Sequence, residues 1–375
     1  SDQDCNGDCF GEAIIDSCGE CSGGNSGHVA NSDQDCNGDC FGEAGPSGCD
    51  NACGSTLEDD DCGVCGGDNS SCTSVQTIIL NPYMMNSISF NVIPDDTQIS
   101  SVFVDSLILV ASNVDEYYVP NHGVDQIGEL DLAMGYDVFL EGSDSTIVVV
   151  EGYSMPADSS ILINPSMMNN ICFIPQECMA IDDVFAGYED SILIVSNDAG
   201  GYYVPSFNID SICDMCPGNG YKIFLQGTAS LYFQYPSFNS LALVKRRKSR
   251  FPSDYAVKSV STEYDIVKTG ISHPIILTKL NGMVELGDEL VAYANGEVVG
   301  AVKIIDLDLP IVLSAWGSFT VGSVDLPGYK KGDAIELRLW SAEEGRELRL
   351  EADLDGVEYG TSPLTVGTAM VYGQD

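Results

Sequence analysis

The chain has 375 residues, 57 of them acidic and 15 basic, for a formal net charge of −42, and 44% of it is hydrophobic. The charge excludes nucleic acid and anionic membrane surfaces, whose phosphates it would repel, and makes cations the natural partners. The hydrophobic share excludes a disordered acidic tail, and no apolar run approaches the roughly 20 residues that span a bilayer.

The acid is unevenly spread, and the zones mark boundaries. Residues 1–72 hold 16 carboxylates and no Lys or Arg; residues 73–244 hold 21 carboxylates and only Lys222; residues 245–375 hold 20 carboxylates and 14 basic residues. Eleven of the 15 cysteines fall in the first zone, a density that in an oxidising compartment builds a disulfide framework. An extracellular protein is expected.

In chain order, residues 1–13 and 32–44 are the identical string SDQDCNGDCFGEA, a repeat with a period of 31, and a degenerate unit follows from Cys49 to Cys72. The chain opens inside a repeat on Ser1, so further copies are expected upstream, and a signal peptide, if there was one, has already been removed. Asp2, Asp4, Asn6 and Asp8 alternate, with Gly7 before the last, and Asp33, Asp35, Asn37 and Asp39 repeat them around Gly38. This is the opening of a calcium loop, in which a hard cation collects oxygens from alternate positions while glycine permits a sharp turn. Glu12 and Glu43 stand at position 11 rather than at the position 12 of an EF-hand, and no helical pattern flanks either loop. The candidate Ca2+ ligands are therefore Asp2, Asp4, Asn6, Asp8, Glu12, Asp33, Asp35, Asn37, Asp39 and Glu43. The rival readings are carboxylates that only solubilise a disulfide ladder, and zinc on the C-x-x-C pairs, which the surrounding hard oxygens disfavour.

With Cys18-Gly19-Glu20-Cys21-Ser22-Gly23-Gly24 and Cys62-Gly63-Val64-Cys65-Gly66-Gly67, this zone resembles thrombospondin type-3-like calcium repeats and the C-G-x-C-x-G-G repeats of large secreted bacterial proteins. The resemblance implies a fold held by cations and disulfides with little apolar core. A sequential pairing accounts for the odd cysteine count: Cys9–Cys18, Cys21–Cys36, Cys40–Cys49, Cys53–Cys62 and Cys65–Cys72, leaving Cys5 over. Sequence leaves the connectivity open.

The middle zone carries a second repeat. Asn81-Pro82 with Met84-Met85-Asn86 recurs as Asn164-Pro165 with Met167-Met168-Asn169, Tyr117-Tyr118-Val119-Pro120 as Tyr202-Tyr203-Val204-Pro205, and Gly135-Tyr136 as Gly220-Tyr221. Short β-branched and aromatic runs between Asp, Asn and Gly clusters predict strands, with one short helix capped by Asp96 and ending at Phe103. Each tyrosine pair, lying on adjacent strand positions, is expected to place one ring inside and one outside. Cys172, Cys178, Cys213 and Cys216 belong to the second copy alone and are expected to form two disulfides. These copies look like β modules found in tandem in surface proteins of marine Gram-negative bacteria.

Lys245 to Pro252 is a basic segment taken as a linker. Beyond it, Asn295-Gly296 between two β runs predicts a two-residue hairpin, and the remaining runs predict a β-sandwich with Trp316 and Trp340 as core anchors. The expected class is mainly β and multi-domain: calcium-binding repeats over 1–73, β modules over 74–156 and 157–244, a linker over 245–256 and a C-terminal β-sandwich over 257–375. The expected function is that of a non-enzymatic extracellular structural protein of the cell surface, self-assembling into a filament or stalk. No Gly-x-Ser-x-Gly or phosphate loop occurs, and His28, His122 and His273 lack metal-ligand spacing. The alternatives are a glycan-binding adhesin and an ancillary region of a larger secreted hydrolase.

Overall fold

The computed structural model describes residues 3–60, 63–67, 73–103, 107–113, 116–156, 159–236, 258–321 and 324–372. Asp2, Cys62, Cys72 and the basic linker over 245–256 lie outside them. The chain forms two compact units, Ser1–Thr73 and Ser74–Asp375.

The first unit has almost no interior. Its regular structure is two antiparallel pairs of two-residue strands, Ile14–Ile15 with Cys21–Ser22 and Pro46–Ser47 with Ala52–Cys53. Among its described residues only Ala13 and Ser22 are buried.

The second unit is mainly β and contains three bodies. In the first, a five-stranded sheet runs Val124–Asp125, Tyr117–Val119, Leu107–Ala111, Tyr136–Leu140, Met85–Ile88, facing a three-stranded sheet of Thr73–Leu80, Thr146–Ser154 and Val92–Pro94. Alternation along Thr73–Leu80 and Thr146–Ser154 turns Ile78, Leu80, Val148 and Val150 inward onto Phe90, Tyr136 and Val138. The second body repeats the five-stranded sheet in the same order, Ile209–Asp210, Tyr202–Val204, Ile192–Ser196, Tyr221–Leu225, Met168–Ile171.

The repeated N-P-x-M-M-N string now has a physical meaning. Asn86 Oδ1 accepts the Asn81 N–H at 2.7 Å, and its Nδ2 donates to the carbonyls of Asn81, Met84 and Val138. Asn169 does the same with Asn164, Met167 and Ile223. Each buried amide thus fastens a turn to the neighbouring strand, leaving no buried donor unpaired. The helix is the single turn Ile99–Val102; Asp96 accepts the Gln98 N–H and the Ser101 hydroxyl from two residues ahead of the N-cap, Gln98.

The two copies meet through a pseudo-twofold seam. Gly135 N–H donates to Asn170 O and Gly220 N–H to Ser87 O, both at 2.8 Å. Either glycine is required, because a Cβ would lie 2.2 Å from Asn170 Oδ1 at Gly135 and 2.7 Å from Ile88 O at Gly220. Lys222, the one cation of residues 73–244, pairs with Asp137 across this seam at 2.9 Å.

The third body is one seven-stranded sheet in the order Glu297–Lys303, Glu289–Ala294, Glu336–Ser341, Arg346–Leu354, Thr365–Tyr372, Ser272–Gly282, Ile311–Trp316. Its outer strands approach until a Cβ on Gly300 would lie 2.4 Å from Ser314 O, so the facing layers of the expected sandwich are halves of a rolled, nearly closed sheet around Leu290, Leu313 and Leu339. Asn295 and Gly296 make the expected turn, with φ of 50° and 85°. Trp316 is buried, whereas Trp340 is half-exposed on the outer face.

The third body also packs on both copies. Phe139 and Met85 meet Leu326 and Phe319, and Tyr202, Val204 and Ile209 meet Ile276, Val312 and Leu364. This corrects one tyrosine expectation. Tyr118 is inside and Tyr117 outside, but Tyr202 and Tyr203 are both buried, because the outer face of the second copy is covered and the Tyr202 hydroxyl donates to Ser272 Oγ at 2.8 Å.

Candidate functional site: the disulfide and aspartate ladder

The cysteines do not pair in sequence order. The bonds are Cys5–Cys21, Cys18–Cys40, Cys36–Cys53 and Cys49–Cys65. Cys5, expected to be left over, is bonded, and Cys9, expected on Cys18, is free and exposed. Within each hairpin the second cysteine, Cys21 or Cys53, bonds back to its own repeat, and the first, Cys18 or Cys49, bonds forward to the next. In the second copy Cys178 bonds Cys216, while Cys172 and Cys213 are free, correcting the expected second bridge. Cys172 is buried in apolar surroundings that push its thiol up to about 12.

The aspartates of the repeats turn inward to the backbone. Asp4 Oδ1 accepts the N–H groups of Asn6 and Asp8 and its Oδ2 accepts that of Ala13, at 2.9 to 3.0 Å. Asp35 repeats this with Asn37, Asp39 and Ala44. Asp16 serves Cys18, Glu20 and Asn31, and Asp60 serves Val64. The glycine seven residues on makes room for the clamp, since a Cβ on Gly11, Gly42 or Gly67 would lie 2.0 Å from Oδ2 of Asp4, Asp35 or Asp60. The Ala13 N–H holds Asp4 below the ordinary carboxylate range, and the Asn31 N–H does the same for Asp16. At Asp35 partial desolvation opposes the shift, but the donors of Asp39, Ala44 and Asn37 outweigh it.

This geometry bears on the calcium reading. Three N–H donors fill most of the roughly four lone-pair positions of an ionised carboxylate, whereas Ca2+ takes 6–8 oxygens. Asn6 Nδ2 donates to Asp8 Oδ2, Asp33 pairs with His28 Nε2, and Glu12, Asn37, Asp39 and Glu43 are exposed. Among the described residues the one group of three His, Cys, Asp or Glu side chains with ligand atoms within 4.8 Å is Cys49, Asp59 and Cys65. Two of these are joined as a disulfide, which leaves no thiolate for zinc. As placed, the loop residues form capped turns and not a gathered oxygen shell.

Two arrangements in the second unit were not visible in the sequence, because their members come from separate segments. A cavity of about 420 Å³ lies between the 197–201 loop, residues 259–268 and the third sheet beside Trp316. Three of its polar groups serve the protein: Ser314 Oγ donates to Gly200 O, Ser261 Oγ to Glu289, and Asn197 Oδ1 accepts the Gly201 N–H. On the outer face of the sheet, Glu347 accepts the hydroxyls of Tyr264 and Tyr293 and the Arg338 guanidinium, which lies 4.3 Å over the Tyr293 ring. The Glu347 set is closed on itself.

Comparison with known proteins finds no matching family model, no matching curated protein and no matching solved structure.

Proposed function

We propose that this chain is an extracellular structural protein in which the amino-terminal repeats act as a core-free spacer and the β bodies as the load-bearing head. One observation carries the reading: the described residues of the first unit are held by four disulfides and inward-turned aspartates, and only two of them are buried. Such a segment lengthens by adding repeats, without needing a larger interior, and its bridges suit an oxidising, extracellular environment. No helix among the described residues is long and apolar enough to cross a membrane.

The finer parts belong to the same proposal: a non-enzymatic role at the cell surface, kinship with calcium-binding repeats and bacterial surface modules, and self-assembly into a filament. The net charge of −42 supports a need for cations, so calcium is proposed as the ion that relieves self-repulsion and permits assembly. Negative-stain microscopy with and without calcium tests this. Filaments that dissolve in chelator are expected; monodisperse short particles in both conditions would overturn assembly, and a melting curve indifferent to chelator would overturn the calcium dependence. An adhesin is the second reading, resting on the cavity beside Trp316, and a glycan array with the whole chain that gives no hits removes it.

A further inference from the structure

The pseudo-twofold seam between the two copies is matched in its backbone and broken at one side chain. Strand register fixes the correspondence. Asp137 stands between Ala111 and Ser87 in the first copy, and Lys222 stands between Ser196 and Asn170 in the second. Asn113 and Asp198, each two residues beyond Ala111 or Ser196, are therefore counterparts, and each reaches across to the other copy.

Asn113 holds Asn170 by both ends: its Oδ1 accepts the Asn170 N–H and its Nδ2 donates to the Asn170 carbonyl, each at 2.7 Å. Asp198 makes only the first of these bonds. Its Oδ2 accepts the Ser87 N–H at 2.9 Å, but an ionised carboxylate has no hydrogen to give the Ser87 carbonyl. Across the seam the Asn170 carbonyl thus takes two donors, Gly135 N–H and Asn113 Nδ2, whereas among the described residues the Ser87 carbonyl takes one, Gly220 N–H.

We propose that Asp198 is an acid latch between the twin modules: once protonated it donates to the Ser87 carbonyl as Asn113 donates to that of Asn170, so the joint tightens in acid and loosens when the proton leaves. The surroundings favour the neutral form. Burial pushes Asp198 above the ordinary carboxylate value of 3.8 and the Asp137 charge adds to the push, against the Ser87 N–H and Lys222. Lys222 is itself paired with Asp137 at 2.9 Å. Of the other groups around this loop, the Tyr221 hydroxyl accepts the Cys216 N–H and is raised by burial, so it stays neutral. From the third body Ser314 and Trp316 meet Gly200, and neither titrates; Asp265 and Lys268, which line the adjoining cavity, are exposed. Because the folded state holds the proton more tightly than the unfolded one, the contribution is full below pH 3.8 and is lost as pH rises through the higher value of Asp198 in the seam. The latch depends on neither calcium nor assembly.

Hydrogen exchange of the Gly220 and Gly135 amides in the whole chain, read by mass spectrometry at about pH 7 and about pH 4, tests this. Asp198→Asn supplies the missing donor at both. It is expected to slow exchange at Gly220 about tenfold against wild type at the higher pH, the worth of one hydrogen bond, and not at the lower. Asn113→Asp transfers the latch to the other side of the seam and is expected to speed exchange at Gly135 about tenfold at the higher pH, with recovery at the lower. Each variant is compared with wild type at the same pH, so other titrations cancel. Exchange in Asp198→Asn no slower than in wild type at about pH 7, a gain of equal size at both pH values, or an Asn113→Asp seam that stays loose in acid would each overturn the proposal.

Discussion

The described residues of the first unit and those of the second reach order in one acidic chain by opposite means. In the second unit, side chains such as Phe139, Tyr202, Tyr221 and Leu313 are removed from water almost completely, and burial offsets the entropy of ordering. In the first, nothing comparable is buried. There the unfolded chain is constrained by four cross-links and the folded turns are held by aspartates. The difference teaches that the same device stands on two footings: aspartates cap turns in both units, Asp4 and Asp35 in the ladder and Asp96, Asp125, Asp288 and Asp355 in the β bodies, but only in the second unit does a buried apolar core stand behind them.

Reduction should separate the units most sharply. Each described ladder bond closes a span of 16 to 22 residues, worth about 3 kcal/mol apiece, so a reductant is expected to abolish amide protection throughout residues 3–67. Protection of Ile275–Leu277 and Ile223 should persist, and hydrogen exchange with mass spectrometry reads both. The reverse experiment is Tyr202→Ala, which empties a fully buried site and should cost about 3–5 kcal/mol in the second unit while the ladder keeps its protection. Tyr202→Phe, which loses only the bond to Ser272, should cost about 1 kcal/mol.

Acid offers a subtler division. His273 is buried, with Nε2 at 2.9 Å from Thr365 Oγ1 and the rings of Tyr329 and Tyr359 edge-on, and burial pushes it down to about 4 against an ordinary 6.5, with Asp355 opposing. A lowered folded value means that the unfolded state binds the proton first. The stability is therefore full above pH 6.5 and falls, by up to about 3 kcal/mol, as pH drops from 6.5 to 4. Asp198 and Asp210, raised by desolvation, run the other way, so the measurement is the difference between wild type and His273→Gln. Trp316 and Trp340, the only tryptophans, both report on the third body. The ladder should hold until lower pH, because Asp4, Asp16, Asp35 and Asp50 lie below the ordinary value of 3.8 and release their N–H donors only as they protonate. The smallest effect is expected from Gly42→Ala, which displaces the Asp35 carboxylate from its turn and should speed exchange of the Asn37, Asp39 and Ala44 amides while leaving those of the first repeat unchanged.

What was legible in the sequence was local or repeated. Identical strings announced the ladder, the recurring asparagines announced a shared turn, and Asn295-Gly296 announced its hairpin because both positions need positive φ. Cysteine connectivity was not legible, since two of the four bonds cross a repeat boundary and spacing does not say which cysteine of a hairpin bonds within its repeat and which bonds to the next. The part played by Asp4 and Asp35 was hidden for a related reason: the same alternating oxygens serve a cation or a turn according to side-chain direction, which spacing does not encode. The burial of Tyr202 depends on residues such as Ser272, 70 positions downstream, and the cavity beside Trp316 gathers segments from 197 to 316, beyond the reach of any local pattern.

The seam between the two copies has a practical outcome. Before residue 245 a trypsin-like protease can cut only after Lys222, and that side chain is clasped by Asp137 on a strand flanked on both sides. A fragment ending at Lys222 can appear only when the clasp has opened, so its rate of release is a ready gauge of how often the twin modules part.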